Sequence, residues 1–165
     1  MPHVAGDRDA PAPGERPADP AAGAPHAVVT QRDKKFIPHV LTVVAGTTVD
    51  FPNQDPLLHN VVSSSPAKRF DLGMYPQGET KSVTFEAPGV VELRCNAHPE
   101  MSAFVVVHSS PYAAVTDARG VYTIGGVPAG SHPVRVWHET LAERATSVTV
   151  HPGGVQPLDV RLERR

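Results

Sequence analysis

An all-β chain made of a Greek-key β-sandwich followed by a second, smaller β-sandwich is the fold class this sequence predicts. Three observations predict it. Eighteen prolines and thirteen glycines punctuate the 165 residues, so the segments between breakers are short. Those segments are rich in valine and threonine and alternate apolar with polar residues, as in Ser82-Val83-Thr84-Phe85-Glu86. No long stretch repeats its apolar residues at a helical spacing.

Composition sets the outer bounds. A chain of this length holds one ordinary domain or two small ones. The formal charge is −2 and both signs are spread along the chain, which excludes a nucleic-acid binder or a polybasic membrane binder. No apolar run approaches the roughly 18 residues of a spanning helix. One cysteine excludes an internal disulfide and leaves the redox compartment unmarked. The N-terminus lacks the basic-then-apolar pattern of a signal peptide, so the chain is expected either to be cytoplasmic or to begin after a removed signal.

Residues 1–24 are nearly all Ala, Pro, Gly, Asp, Glu and Arg. They have little apolar surface to offset the entropy of ordering and are expected to be an unstructured tail or linker. From His26 the texture changes. Ala27–Thr30, Leu41–Val44 and Val49–Phe51 read as short strands, and Phe36–His39 as extended chain ahead of and through a proline. Leu57–Ser63 reads as a strand whose period of two places Leu57, His59 and Val61 on one face. In Val91-Glu92-Leu93-Arg94-Cys95 the same parity turns Val91, Leu93 and Cys95 inward. Ala103–Val107 closes this first unit, taken as residues 25–109, as a buried strand.

Residues 110–165 form a second strand set. Tyr112–Thr116, Val121–Ile124, Val134–His138, Ala145–Val150 and Leu158–Leu162 are its expected strands, and Trp137 is expected in its core. So short a unit is marginal alone, so it is expected to pack against the first, sharing the strand 104–107.

The chemistry lies in one stretch, Cys95-Asn96-Ala97-His98-Pro99-Glu100-Met101. A thiolate, an imidazole and a thioether in one short loop are soft or borderline donors, which suit copper better than zinc, calcium or magnesium. One more imidazole completes a type 1 (blue) copper set, and His59, 36 residues before Cys95, offers it. The expected metal ligands are therefore His59, Cys95, His98 and Met101, holding one copper per chain. Each alone has a plainer reading: buried Cys and Met fill cores and a His at a strand end faces water. The four together carry the argument. No haem-attachment motif and no paired H-x-H set is present, so no enzyme is expected. The spacings of His132, His138 and His151 fit no ligand motif, and they are read as unrelated surface histidines. His39 is assigned no role, and His108 is read as interfacial between the halves.

With Val44-x-Gly46, Val49-x-Phe51-x-Asn53-x-Asp55, His59-Asn60-Val61 and Cys95-x-x-His98-x-x-Met101, the first unit resembles the cupredoxins. Its short His-to-Met spacing is similar to the amicyanin and methylamine-utilisation-like branch. The resemblance implies a periplasmic or extracellular electron carrier. It also implies that His98 is the solvent-edge ligand where a redox partner docks, and that Asn60 ties the first ligand's loop to the cysteine loop. Tyr112–Asp117 with Gly120-x-Tyr122-x-Ile124, Val127–Gly130 and Val134-x-Val136-Trp137-His138-Glu139 resembles a carboxypeptidase regulatory-like (transthyretin-like) domain, usually a structural or interaction module. The expected function is single-electron transfer by a monomer. A copper-delivery protein and a structural β protein with a vestigial site are the alternatives.

Overall fold

The structure, a computed structural model, describes residues 26–165 together with the backbone of the short strand His3–Gly6. In chain order the strands are β1 (His3–Gly6), β2 (His26–Val28), β3 (Thr30–Arg32), β4 (Lys35–Ile37), β5 (Val40–Val44), β6 (Thr47–Pro52) and β7 (Val62–Ser63). They continue with β8 (Phe70–Asp71), β9 (Thr80–Phe85), β10 (Gly89–Arg94), β11 (Ser102–His108), β12 (Ala113–Thr116), β13 (Gly130–Trp137) and β14 (Arg144–Val150). No helix occurs among the described residues.

The first unit is a sandwich of a five-stranded sheet, β5-β11-β10-β7-β8, on a three-stranded sheet, β2-β6-β9, with β3 and β4 as a separate hairpin. Alternation builds its core. Thr47, Val49 and Phe51 of β6 point inward, as do Val83 and Phe85 of β9 and Val91 and Leu93 of β10. They meet Ala103, Val105 and Val107 of β11 in one buried cluster that also holds Cys95 and Met101. Gly89, where β10 begins, has φ +148°, and a β-carbon there would sit 2.8 Å from the Ala67 side chain. Only glycine enters the sheet at this point.

The second unit is a four-stranded sheet ordered β12-β1-β13-β14. Three expectations are corrected here. First, β11 is not shared with this sheet, because both its edges are already paired, to β10 and to β5. The missing strand comes instead from β1, which runs parallel to both β12 and β13 and fills the gap between them. His3–Gly6 was expected to be unstructured; two flanking strands supply the hydrogen-bond partners that its own sequence does not advertise. The rest of the expected tail, apart from this strand, lies outside the described residues. Second, Val121–Ile124 and Leu158–Leu162 do not join the ladder. Tyr122, Ile124, Leu158, Val160 and Leu162 pack against Val134 and Val136, so their alternation records a covered sheet face rather than strand pairing. The Tyr122 hydroxyl donates to the Leu158 carbonyl at 2.6 Å, joining the two covering segments.

Third, Trp137 is not in the core of the second unit. It packs with Val40, Val106, Phe104, Val90 and Val115 between the two units, its ring 5.2 Å from that of Phe104. Val106 and Phe104 lie on the outer face of β11, opposite Val105 and Val107, so the second unit covers the outer face of the five-stranded sheet. His108 is buried beside this contact and lines a cavity of about 250 Å³ with Trp137, Val106, Arg135 and Glu143.

Candidate metal centre

Three segments converge at one end of the sandwich. Inward parity carries past the end of β10 and buries Cys95, 3% exposed, behind Val91 and Leu93. The chain then turns through Asn96–Glu100, and the Met101 amide donates to the His98 carbonyl at 3.0 Å to close the turn. Met101 is buried beside Cys95 in the core, while His98 is half-buried and its neighbours Ala97, Pro99 and Glu100 are exposed.

His59 reaches the same place without the expected strand. Regular pairing begins only at Val62. Before it, a single antiparallel bridge joins His59 to Tyr75: the Tyr75 amide donates to the His59 carbonyl at 2.9 Å and the His59 amide returns a bond at 3.3 Å. The expected parity is therefore corrected. Leu57 is 40% exposed, whereas His59, Asn60 and Val61 are all buried. The loop is held by a side chain instead of a ladder: the Asn53 amide group donates to the carbonyls of Leu57 (2.8 Å) and Tyr75 (3.0 Å), and Asn53 Oδ1 accepts from the Asp55 amide at 2.9 Å.

The donor atoms face one another. His59 Nδ1 and His98 Nδ1 are 3.1 Å apart, and Cys95 Sγ lies 3.9 Å from the first and 3.8 Å from the second. Two imidazole nitrogens at this separation need a proton or a cation between them. A point equidistant from the three atoms lies about 2.1 Å from each, close to the ~2.0–2.3 Å that nitrogen and thiolate donors keep from a bound transition metal. This is the one group of three such side chains among the described residues; His132, His138 and His151 are not brought together.

Asp55 is the functional residue that sequence reasoning missed. Its Oδ2 accepts from His59 Nε2–H at 2.7 Å. Because the carboxylate only accepts, the ring proton sits on Nε2 and the lone pair of Nδ1 is left for a metal. Asp55 is itself held by the amides of Asp33 (2.7 Å) and Lys34 (2.9 Å), the turn of the β3–β4 hairpin. Both turn residues have positive φ, 54° and 55°. A left-handed lysine costs about 1–2 kcal/mol, which the two bonds to Asp55 help to offset. Burial pushes the Asp55 carboxyl up, but the bonds from His59, Lys34 and Asp33 outweigh it and hold the carboxyl below its ordinary value. In the sequence Asp55 closes the motif Val49-x-Phe51-x-Asn53-x-Asp55 and stands four residues ahead of His59, but on a loop that spacing has no fixed geometry and assigned it no role. Asn60 Oδ1 accepts from the Asn96 amide at 2.8 Å and joins the loop of His59 to the loop that follows Cys95.

A β-sandwich with two imidazoles and a thiolate converging at one end defines a cupredoxin-type copper-binding protein. Residues 23–108 match the copper binding proteins of the plastocyanin/azurin family, and the chain belongs to that family. Residues 89–163 match the carboxypeptidase regulatory-like domain. The two matches overlap on β10 and β11, whose hydrogen bonds lie within the copper-side sandwich. The chain is similar to Amicyanin-alpha of Methylorubrum extorquens, 37% identical over 76 residues, or 44% of this chain and 64% of that protein. It therefore spans just under two thirds of that relative's length. Among solved structures it is similar to an amicyanin variant in the Cu(I) form, at 28% identity and a TM-score of 0.47 over 53% of this chain and 85% of that one. It is also similar to a purple cupredoxin from Nitrosopumilus maritimus (26%, TM-score 0.46, 50% and 99%). A third is a copper-containing nitrite reductase from Thermus scotoductus SA-01 (27%, TM-score 0.49, 60% and 25%).

Proposed function

We propose that this protein is an electron carrier rather than an enzyme, and that His59 Nδ1, Cys95 Sγ, His98 Nδ1 and Met101 would hold one type 1 copper. The observation that carries the reading is the convergence of the three donor atoms within 3.9 Å at the end of a packed sandwich. Copper, when bound, supplies a one-electron couple between Cu(I) and Cu(II). What the chain supplies is a donor set held from several sides. His59 is fixed by Asp55 at Nε2 and by the Tyr75 bridge at its backbone. Cys95 is fixed by the inward face of β10, and the two loops are tied by Asn60. A frame locked in this way needs little rearrangement between oxidation states, which favours fast transfer over reversible metal delivery.

His98 is the donor residue nearest to solvent, and electrons would pass through its exposed edge. Leu57, Leu58 and Met74 are 40%, 54% and 46% exposed and flank the His59–Tyr75 bridge at the same end of the molecule. Exposed apolar side chains gathered beside a site mark a contact surface, and we assign the docking of a redox partner protein to this end. No helix of the described residues is long and apolar enough to cross a membrane. We place the protein in the periplasm or outside the cell, as a monomer, with residues 25–109 as the copper unit and 110–165, completed by β1, as the second unit.

The test is the visible spectrum of the purified full chain after addition of Cu(II), followed by voltammetry. Intense thiolate-to-copper absorption with a reversible one-electron wave is the expected result. A colourless or weakly coloured complex without a reversible wave would refute electron transfer and favour copper delivery.

A further inference from the structure

The two units meet at a contact that leads directly to the ligand loop. Ser102 is the first residue of β11 and follows Met101. The parallel ladder between β11 and β5 begins only at Phe104, opposite Val40. One step earlier β5 has no strand to offer, and His39 stands in for it. The His39 carbonyl accepts from the Phe104 amide at 2.8 Å, and its ring Nδ1 lies 3.0 Å from the Ser102 carbonyl. The other ring nitrogen, Nε2, lies 2.8 Å from Glu139 Oε1. Glu139 belongs to the second unit, two residues beyond β13, and both side chains are only 19% exposed.

The proton inventory makes this more than a contact. A carbonyl oxygen only accepts, so Nδ1 carries a hydrogen. With Glu139 ionised, the hydrogen between Nε2 and Oε1 is shared with a charged group, and the ring is held at both nitrogens, between the carboxylate and the peptide carbonyl. Such charge-assisted bonds are shorter and about twice as strong as neutral ones. The edge of the His39 ring also rests on Phe104, 5.6 Å between centroids, and Phe104 carries Trp137 on its other side.

Resting on the copper reading above, we infer that Glu139 and His39 are positioning residues of the copper centre: the second unit holds the exit of the ligand loop, next to Met101, through the His39 ring. The C-terminal unit thereby acts as part of the metal site's support. Partners that hydrogen-bond directly to a ligand carry 10–100-fold in metal affinity; this link acts one residue further out, so about three- to tenfold faster loss of copper to a chelator is expected when it is cut.

The experiment compares the copper-loaded full chain with Glu139→Ala, His39→Ala, the double variant, Glu139→Gln and, as a control, Glu143→Ala. Glu143 pairs with Arg135 in the same unit. Each is read by copper-loss rate, electron paramagnetic and visible spectra, and reduction potential. Glu139→Ala and His39→Ala should shift spectrum and potential in the same direction, and the double variant should add little. Glu139→Gln, whose amide keeps a hydrogen bond to Nε2 without the charge, should shift in the same direction as Glu139→Ala but by less, and Glu143→Ala should not move. Should His39→Ala fail to fold, Glu139→Ala, which alters a partly exposed residue, decides alone. A Glu139→Ala protein with lower thermal stability but unchanged copper loss, spectrum and potential would overturn the inference and leave a structural role. An equal shift in Glu143→Ala would overturn it as well. A parent protein that gives no thiolate-to-copper colour would overturn the copper reading itself, and this inference with it.

Discussion

Replacing Asp55 with asparagine, a change of one atom, should damage the metal site far more than its size suggests. Asp55 Oδ2 accepts the Nε2–H of His59 at 2.7 Å, and the carboxylate also accepts from the Asp33 and Lys34 amides. Asparagine keeps one acceptor oxygen and gains an amide nitrogen that can only donate. If the oxygen keeps the Asp33 amide, the amide nitrogen takes the Oδ2 place, where it leaves the Lys34 amide without an acceptor and its N–H meets His59 Nε2, forcing the ring proton to Nδ1, the atom that faces Cys95 and His98. If it takes the Oδ2 place, facing His59 and Lys34, the Asp33 amide loses its partner at a part-buried position, at about 1 kcal/mol. Loss of the partner that orients a metal-bound histidine typically costs 10–100-fold in affinity, or ~1.4–2.7 kcal/mol. We therefore expect Asp55→Asn to weaken copper binding by about that factor, measured by competition against a calibrated chelator, with a lower denaturant midpoint for the apoprotein. Affinity within twofold of the parent together with an unchanged midpoint would refute the tautomer argument.

Four further outcomes are expected. Cys95→Ser should abolish the thiolate-to-copper colour while leaving the far-ultraviolet β spectrum intact, and Met101→Leu should retain copper but shift the potential, because the axial contact is weak; an intensely blue serine variant would contradict the ligand assignment. Burial raises the Tyr75 hydroxyl from 10.0 to about 12, against the opposing bond from Gln31. The folded state thus holds its proton longer than the unfolded chain, so this contribution is complete below pH 10 and lost as pH rises to about 12, ~3 kcal/mol in all; Tyr75→Phe should remove that slope from denaturant titrations across pH 9–12, and a slope that persists would point to another group. Trp137→Ala empties the contact between the units, and the usual cost of such a change in a packed site is about 3–5 kcal/mol. Hydrogen exchange should then quicken in both β11 and β13, and exchange confined to the second unit would show that the tryptophan serves that unit alone.

Much of this molecule is decided locally. The strands around Val83–Phe85 and Val91–Leu93 are legible because alternation in a half-buried strand is a property of the residues themselves. The same parity turned Cys95 inward, and the chemistry of a thiolate, two imidazoles and a thioether identified copper before any geometry was known. Where parity failed, the cause was nonlocal. Leu57–Ser63 alternates like a strand, yet Asn53 and Tyr75 hold it as a pinned loop with both sides covered, so His59 and Asn60 are buried together. Leu158–Leu162 alternates because one side lies on a sheet, which needs no ladder.

Other features belong to the tertiary structure alone. Nothing in His3–Gly6 announces a strand, because its reason for pairing is the gap between β12 and β13. Asp55 acts on His59 only because the Asp33–Lys34 turn holds it there, and His39 reaches Glu139, a hundred residues away, because the ladder between β5 and β11 begins only at Phe104, two residues past Ser102. The sequence by itself determined which side chains offer copper a suitable donor. Which proton His59 keeps, and what holds the loop after Cys95 from behind, were decided by hydrogen bonds between segments that meet only in the folded chain.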